Sequence, residues 1–511
     1  MGIEQQLDPG KRLLVTIAVM LAVLIQVLDT TIANVALPHM QATLGATQES
    51  INWVLTSYIV ASAIALPIAG WLAERVGRKR LLFWSVIGFA LASLLCALAQ
   101  SLPEMVAFRI VQGISGAFLV PLSQATLFDI NPPERHARAM ALFGGGIMIG
   151  PILGPVLGGW LTDSFDWRWV FLVNIPVGSL AALMILRFMP SSPRASHRFD
   201  LFGFAMLGLA LGGLQLMLDR GQHEDWFESI EIWVEAAIFA AASWMFIVHT
   251  MTVKKPIFDR SLFADRNFAL GLLFMMVTGV LLLAGLALLP PLLQSLYGYS
   301  VFQAGIMTAP RGVGTLISML LAGRLVGRVD LRLLVALGLA LMGWSLHMMA
   351  GFAIEMGRGP IIWSGIIQGL GLGLLFVTMQ TLAFATLRPE MRTHAASLLN
   401  LSRNIGGSIG ISLVTSLLAR NMQIAHSDMA GHITEQLLPT ISQGIVSQFG
   451  LPASSAVALA DAEISRQAAF IAYIDDFWIM MWLTFAAIPL VMLLRPARPA
   501  NSEEPKLAGA H

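Results

Sequence analysis

Charge is scarce in this 511-residue chain: Asp, Glu, Lys and Arg supply 12% of it, against 56% hydrophobic residues. Soluble domains carry about 25% charged residues, so a water-facing surface is excluded for most of the molecule. Cysteine occurs once, at Cys96, which rules out a disulfide framework and a cysteine-cluster metal centre. The formal net charge of +1 offers no footprint for nucleic acid. What is present in quantity is the long apolar run. The stretch from Leu13 to Leu37 contains one formal charge, Asp29. At 1.5 Å per residue it covers about 37 Å, more than the ~30 Å hydrocarbon thickness of a bilayer. It is too long for a signal-peptide core, and no small-residue cleavage site follows it. A mean hydropathy of +0.74 extends that reading to the whole chain, a polytopic membrane protein.

Apolar stretches of about twenty residues recur at 13–37, 50–73, 81–100, 104–128, 138–162, 167–188, 200–218, 231–252, 268–290, 303–325, 331–351, 360–386, 396–419 and 475–494. Each is expected to be a helix, because lipid satisfies no backbone polar group. The fold class is therefore all-α, with about fourteen transmembrane helices. Of the 31 Lys and Arg residues, 23 fall at the two ends and in alternate loops, and five in the intervening loops. By the positive-inside rule both termini are cytoplasmic.

The chain also repeats itself. "RIVQGISGAFLVPLSQATLFDINPPE" (109–134) aligns without gaps to "GIIQGLGLGLLFVTMQTLAFATLRPE" (365–390), matching Gln112 to Gln368, Gln124 to Gln380 and Phe128 to Phe384. The same offset carries Gly150 onto Gly406 and Gly154 onto Gly410. Span 4 thus corresponds to span 12 and span 5 to span 13, both pairs running in one direction. The plan is two six-helix halves, residues 1–190 and 266–511, with two inserted spans in 191–265. Transporters use such parallel repeats, with the binding site near the midplane between the halves.

Polar residues inside the spans are the candidates for function, since a charge at the centre of a membrane helix costs at least ~2.5–3.5 kcal/mol. Asp29 is the one deep aspartate; Arg109, Arg311 and Arg403 are intramembrane cations, and Arg311 and Arg403 either line the substrate cavity and make it electropositive or snorkel and bond backbone carbonyls. Gln26, Asn34, Gln112, Gln124, Gln368 and Gln380 are uncharged polar groups on spans 1, 4 and 12, expected to line a cavity between spans 1, 4, 9 and 12 or to bond neighbouring helices. The loop "GWLAERVGRKR" (70–80) crowds Glu74, Arg75 and Arg78 between Gly70 and a tight turn at Gly77, and "GRLVGRVD" (323–330) echoes it in the second half. Span 5 carries a glycine stripe through Gly146, Gly150, Gly154 and Gly158 beside Pro151 and Pro155, a helix suited to close approach and bending. The 55-residue segment from Arg420 to Ile474 far exceeds the usual connection of ~4–6 residues. Its helix-like spacing predicts two amphipathic helices, at 434–452 and 454–474.

"LDTTIANVALP" (28–38), "GWLAERVGRKR", "GIMIGPILGPVLGG" and "RIVQG" (109–113) together resemble four signature motifs of the fourteen-helix drug:proton antiporters of the major facilitator superfamily, nearest to the EmrB-type multidrug exporters. "LQLMLDRGQHEDWFES" (214–229) resembles the inserted spans of that subgroup; Glu74 stands where the family's loop motif usually has aspartate. The resemblance implies proton-coupled export of small hydrophobic drugs or other toxic compounds across a bacterial inner membrane. Protons and the bilayer would be partners, and the proton gradient the energy source, with no cofactor and no metal. Asp29 and Arg109 would couple protons, while Gly70, Glu74, Arg75, Gly77, Arg78, Gly150, Pro151, Gly154 and Pro155 would gate. It further implies a periplasmic membrane-fusion adaptor and an outer-membrane channel as partners of the 420–474 segment, which by itself also reads as a cap on the outer mouth. A narrower exporter of a fatty acid, siderophore or other metabolite stays open. A polytopic enzyme or sensor is the distant alternative: His39, His136 and His394 form no cluster in sequence, and "GGGIMIG" lacks the Lys-Ser/Thr of a nucleotide loop.

Overall fold

Apolar spans that must satisfy their own backbone fold as helices, and the computed structural model is built almost entirely of them. It describes residues 8–47, 50–191, 194, 199–222, 224–385, 387–432 and 453–495. The first half comprises α1 (Pro9–Leu44), α2 (Ser50–Val76), α3 (Arg78–Leu98), α4 (Leu102–Ile130), α5 (His136–Ser164) and α6 (Trp169–Phe188). The inserted pair is α7 (Leu201–Arg220) and α8 (Ile230–Thr252). The second half is α9 (Arg266–Ser295), α10 (Val301–Leu325), α11 (Leu331–Ala350), α12 (Arg358–Ala385), α13 (Arg392–Gly431) and α14 (Ala453–Ala487). Twelve of these are individually long and apolar enough to cross a bilayer. The long helices α5 and α13, packed among them, bring the count to fourteen, as the sequence predicts.

The repeat is visible in the packing. α1 lies against α5 and α6, α2 against α4, and α3 against α4 and α6; α9, α10 and α11 make the same contacts eight helices later. The glycine stripe of α5 sets its half: Gly146, Gly150, Gly154 and Gly158 face Met20, Val27, Thr31 and Ile32 of α1. A methyl at Gly150 would come within 2.5 Å of Val27 Cγ1. In the second half Gly406 and Gly410 press on the Met276 and Val280 backbone of α9. Pro151 and Pro155 lie within α5, their side chains outside the described set. The two echoing loops share a turn that needs glycine, with φ of +95° at Gly77 and +87° at Gly327.

The halves meet through α5 on α10 and α12, and α13 on α2 and α4. Phe128 and its repeat mate Phe384 pack with ring centroids 4.4 Å apart, tilted by 32°, which puts them on the pseudo-twofold axis. The inserted pair braces one flank. Asp219 accepts from Thr56 of α2, Gln215 from Ser408 of α13 at 2.9 Å, and Trp226 Nε1 donates to Ser416 Oγ at 3.0 Å. Asp219 therefore ties α7 to the first half.

Several helices overrun their spans. α1 has 36 residues, about 54 Å, and α13 has 40. The stretch expected as a separate helix at 454–474 is the start of α14, continuous with the last span. It pairs with the prolonged α13, where His426 Nε2 lies 3.1 Å from Asp461 Oδ1. Of the helix expected at 434–452, every residue lies outside the described set.

Candidate functional site

Asp29 is completely buried, inside the first half rather than in a space between halves. Its Oδ2 accepts from Arg109 Nη1 at 2.5 Å, and its Oδ1 from Gln112 Nε2 at 2.8 Å and Asn174 Nδ2 at 2.9 Å. Ser93 Oγ accepts from both amides, at 2.7 and 3.0 Å. The guanidinium is held further: Nε donates to Val54 O at 2.9 Å, Nη1 also to Gln112 Oε1 at 2.7 Å, and the Tyr58 ring lies 4.4 Å away, while Nη2 is buried with no partner among the described residues. Gly113 permits this, since a methyl there would meet Tyr58 O at 2.5 Å and hold α4 off α2. Five helices (α1, α2, α3, α4 and α6) thus converge on one charged pair. Breaking a pair of this kind from one side costs about 3–5 kcal/mol, because it strands the other charge.

Gln112, expected to line a cavity or to bond neighbouring helices, does the second here and is part of this cage. It is drawn there because a buried carboxylate needs donors for both oxygens. Asn174, Ser93 and Tyr58 complete the cage and were not singled out from the sequence. Their only signal is a polar side chain in an apolar span, and nothing in the linear order links spans 2, 3 and 6 to Asp29.

The remaining candidates separate into three places. Gln124 lies at the junction of the halves, its Oε1 accepting from Asn400 Nδ2 at 2.7 Å. Arg311 and Gln368 lie together in the second half: Arg311 Nη2 donates to Leu282 O at 3.4 Å, and both amide atoms of Gln368 are buried with no partner among the described residues. Arg403 borders a small gap between the halves, lined by Ile147, Met148, Thr278, Leu282 and Phe376. Gln26 is half-buried one turn from Asp29, Asn34 is exposed, and Gln380 is buried with its amide unpartnered among the described residues.

A second constellation joins the halves at the basic end. Asp129 of α4 takes Arg78 of α3 and, at 3.0 Å, Arg392 of α13. Glu74 Oε1 lies 3.1 Å from His394 Nε2 of α13, and Ser397 donates to Leu66 O. Gly70 admits the His394 ring, which a side chain there would displace. Arg75 turns away and stacks over Trp71 at 5.0 Å. Asp129, at the end of span 4, is a bridge between the halves; His394 was not linked to Glu74 in sequence, since 320 residues separate them.

Two parallel six-helix halves closed against each other at one end, with one charged pair sealed inside a half, define a secondary transporter rather than an enzyme. The Major Facilitator Superfamily model matches residues 19–411, and the chain belongs to that family. It is 35% identical to the multidrug export protein EmrB of Escherichia coli (strain K12), over 96% of this chain and 97% of that one. It is also 35% identical to the fatty acid resistance protein FarB of Neisseria gonorrhoeae, over 94% and 96%. Among solved structures the human organic anion transporter MFSD10 superposes with a TM-score of 0.59 at 16% identity, covering 93% of this chain and 100% of that one. The proton:xylose symporter XylE gives 0.57 at 13%, covering 94% and 97%. These last two establish the fold.

Proposed function

We propose that the protein exports small hydrophobic and amphipathic drugs across a bacterial inner membrane in exchange for protons, with both termini in the cytoplasm. The observation that carries the coupling is the Asp29–Arg109 pair. A fully buried carboxylate bonded to an always-charged partner has two states, ion pair or neutral acid, and each favours a different packing of the five helices around it. Proton binding at Asp29 releases Arg109, and the altered first half moves against the second. The basic-face bridges through Asp129 and Glu74 hold the cytoplasmic side shut in the present arrangement and must part for drug entry. Uphill extrusion of a fluorescent dye from proteoliposomes under an imposed pH gradient tests this. Dye movement indifferent to the gradient refutes coupling.

The name of EmrB supports drugs as cargo, and that of FarB, together with the buried Arg311 and the half-buried Arg403, supports acidic hydrophobes over permanent cations. A resistance profile confined to quaternary ammonium dyes refutes that preference. The α13–α14 hairpin, projecting outside by the charge rule, is the docking surface for a periplasmic adaptor leading to an outer-membrane channel. Replacing residues 425–470 by a short Gly/Ser linker should abolish adaptor co-purification while proton-driven transport in vesicles persists; full adaptor binding by the shortened chain rejects the assignment.

A further inference from the structure

The internal repeat relates the Asp29 cage to a place in the second half. Gln368 of α12 is the repeat mate of Gln112, and Gly365 that of Arg109. The second half therefore lacks an arginine at the position that holds Asp29 in the first. It supplies one from the neighbouring helix: Arg311 of α10 packs on Gly365, 3.7 Å from where a methyl would stand, and its guanidinium reaches α9, the counterpart of α1. A methyl built on Gly285 of α9 would lie 3.3 Å from Arg311 Nη1 and 3.6 Å from Gln368 Nε2. Cation and glutamine amide thus face one point beside a residue that has no side chain. In the first half the same two groups meet at a carboxylate.

No carboxylate among the described residues answers them here. Arg311 is 7% exposed and Gln368 1%, and Arg311 has no acidic neighbour among the described residues. Among the described residues its one hydrogen bond is the long one to Leu282 O, and neither amide atom of Gln368 has a partner. A guanidinium in an apolar interior without a counter-ion costs several kcal/mol, so the arrangement calls for an anion during the cycle. Leu282 also lines the gap bordered by Arg403, together with Ile147, Met148, Leu372 and Phe376.

We propose that Arg311, Gln368 and Gly285 form the anion subsite of the cargo cavity. The acid group of an amphipathic substrate takes the place that the Asp29 carboxylate fills in the first half, and its apolar tail lies in the gap between the halves. Arg311 pairs with one oxygen and Gln368 Nε2 donates to the other, as Arg109 and Gln112 do to Asp29. The cargo is then the counter-ion that the second half lacks. This assignment rests on the export function proposed above, but not on proton coupling.

Equilibrium binding to the full chain in lipid nanodiscs tests it, with laurate, methyl laurate and dodecyltrimethylammonium as probes of matched tail. Wild type should bind laurate at least tenfold more tightly than the ester. Charge-assisted hydrogen bonds contribute about tenfold to a hundredfold in affinity, so Arg311→Gln and Gln368→Leu should each weaken laurate by roughly that factor. The same variants should leave the ammonium probe within about twofold, a span well inside one decade of affinity. Gly285→Ala keeps both polar groups and places a methyl on the head-group position; it should weaken laurate alike, and it stands as the test if Arg311→Gln does not fold. Equal binding of laurate and ester to wild type, or unchanged laurate binding by Gly285→Ala and Gln368→Leu, overturns the proposal. Because nothing in the measurement depends on a pH gradient, loss of proton-driven transport with this binding pattern intact would reject the antiport reading alone.

Discussion

Asp29→Asn is the substitution on which the proposed coupling turns. The asparagine fits the space, but its amide brings donors toward Arg109 Nη1, which the native Oδ2 meets at 2.5 Å. Arg109 keeps Val54 O and Gln112 Oε1 and the Tyr58 ring, yet loses its only carboxylate among the described residues. Stranding a fully buried cation in this way should cost about 3–5 kcal/mol in stability. Removing the cation as well should recover most of the loss, because a buried ion pair exchanged for neutral groups is often close to neutral in energy. Asp29→Asn, Arg109→Gln and the double variant therefore form a cycle with a coupling energy of about 3 kcal/mol or more, at or above the upper end for contacting residues. The assay is unfolding in detergent micelles, followed by tryptophan fluorescence, beside dye extrusion from proteoliposomes. The double variant should fold nearly as well as wild type and fail to extrude uphill. Additive stabilities, or proton-driven extrusion by either neutral variant, would refute the argument.

Closure of the basic face should depend more on Asp129 than on Glu74, since Asp129 holds both Arg78 and Arg392 while Glu74 meets the half-buried His394. Glu74→Gln should shift the open-to-closed ratio by about two- to fivefold, the range for a part-exposed pair worth up to ~1 kcal/mol, and Asp129→Asn by more. Electron–electron distances between spin labels on α2 and α13 measure both, and equal effects would sink the ranking. Gly150→Ala drives a methyl into Val27 and should destabilise by about 1–3 kcal/mol, whereas Gly159→Ala, with open space at its Cβ, should be near neutral; thermal unfolding compares them. Trp226→Phe removes the bond to Ser416 and should loosen α7–α8 from the second half, read as faster proteolysis of the 221–229 connection with the core intact.

Span count, helix class, the two-half plan and the motif positions were legible from the sequence, because each rests on a local property or a linear offset. Lipid forces apolar runs of twenty residues into helices, and a gapless alignment at one offset can only mean a duplicated unit. The same offset correctly placed the glycines of α5 and α13 in equivalent packing roles. Partners were not legible. Asp29 was identified as costly, but its cage draws on spans 1, 2, 3, 4 and 6, and Gln112 looked the same in sequence as Gln124 and Gln368. Which of these serves a carboxylate, a junction between halves or a lone arginine depends on helix rotation and crossing. Those are set by where glycines let backbones touch in three dimensions. For the same reason nothing in the linear order marks Asp129 or ties His394 to Glu74: their partners lie across an interface that exists only once both halves have folded and docked.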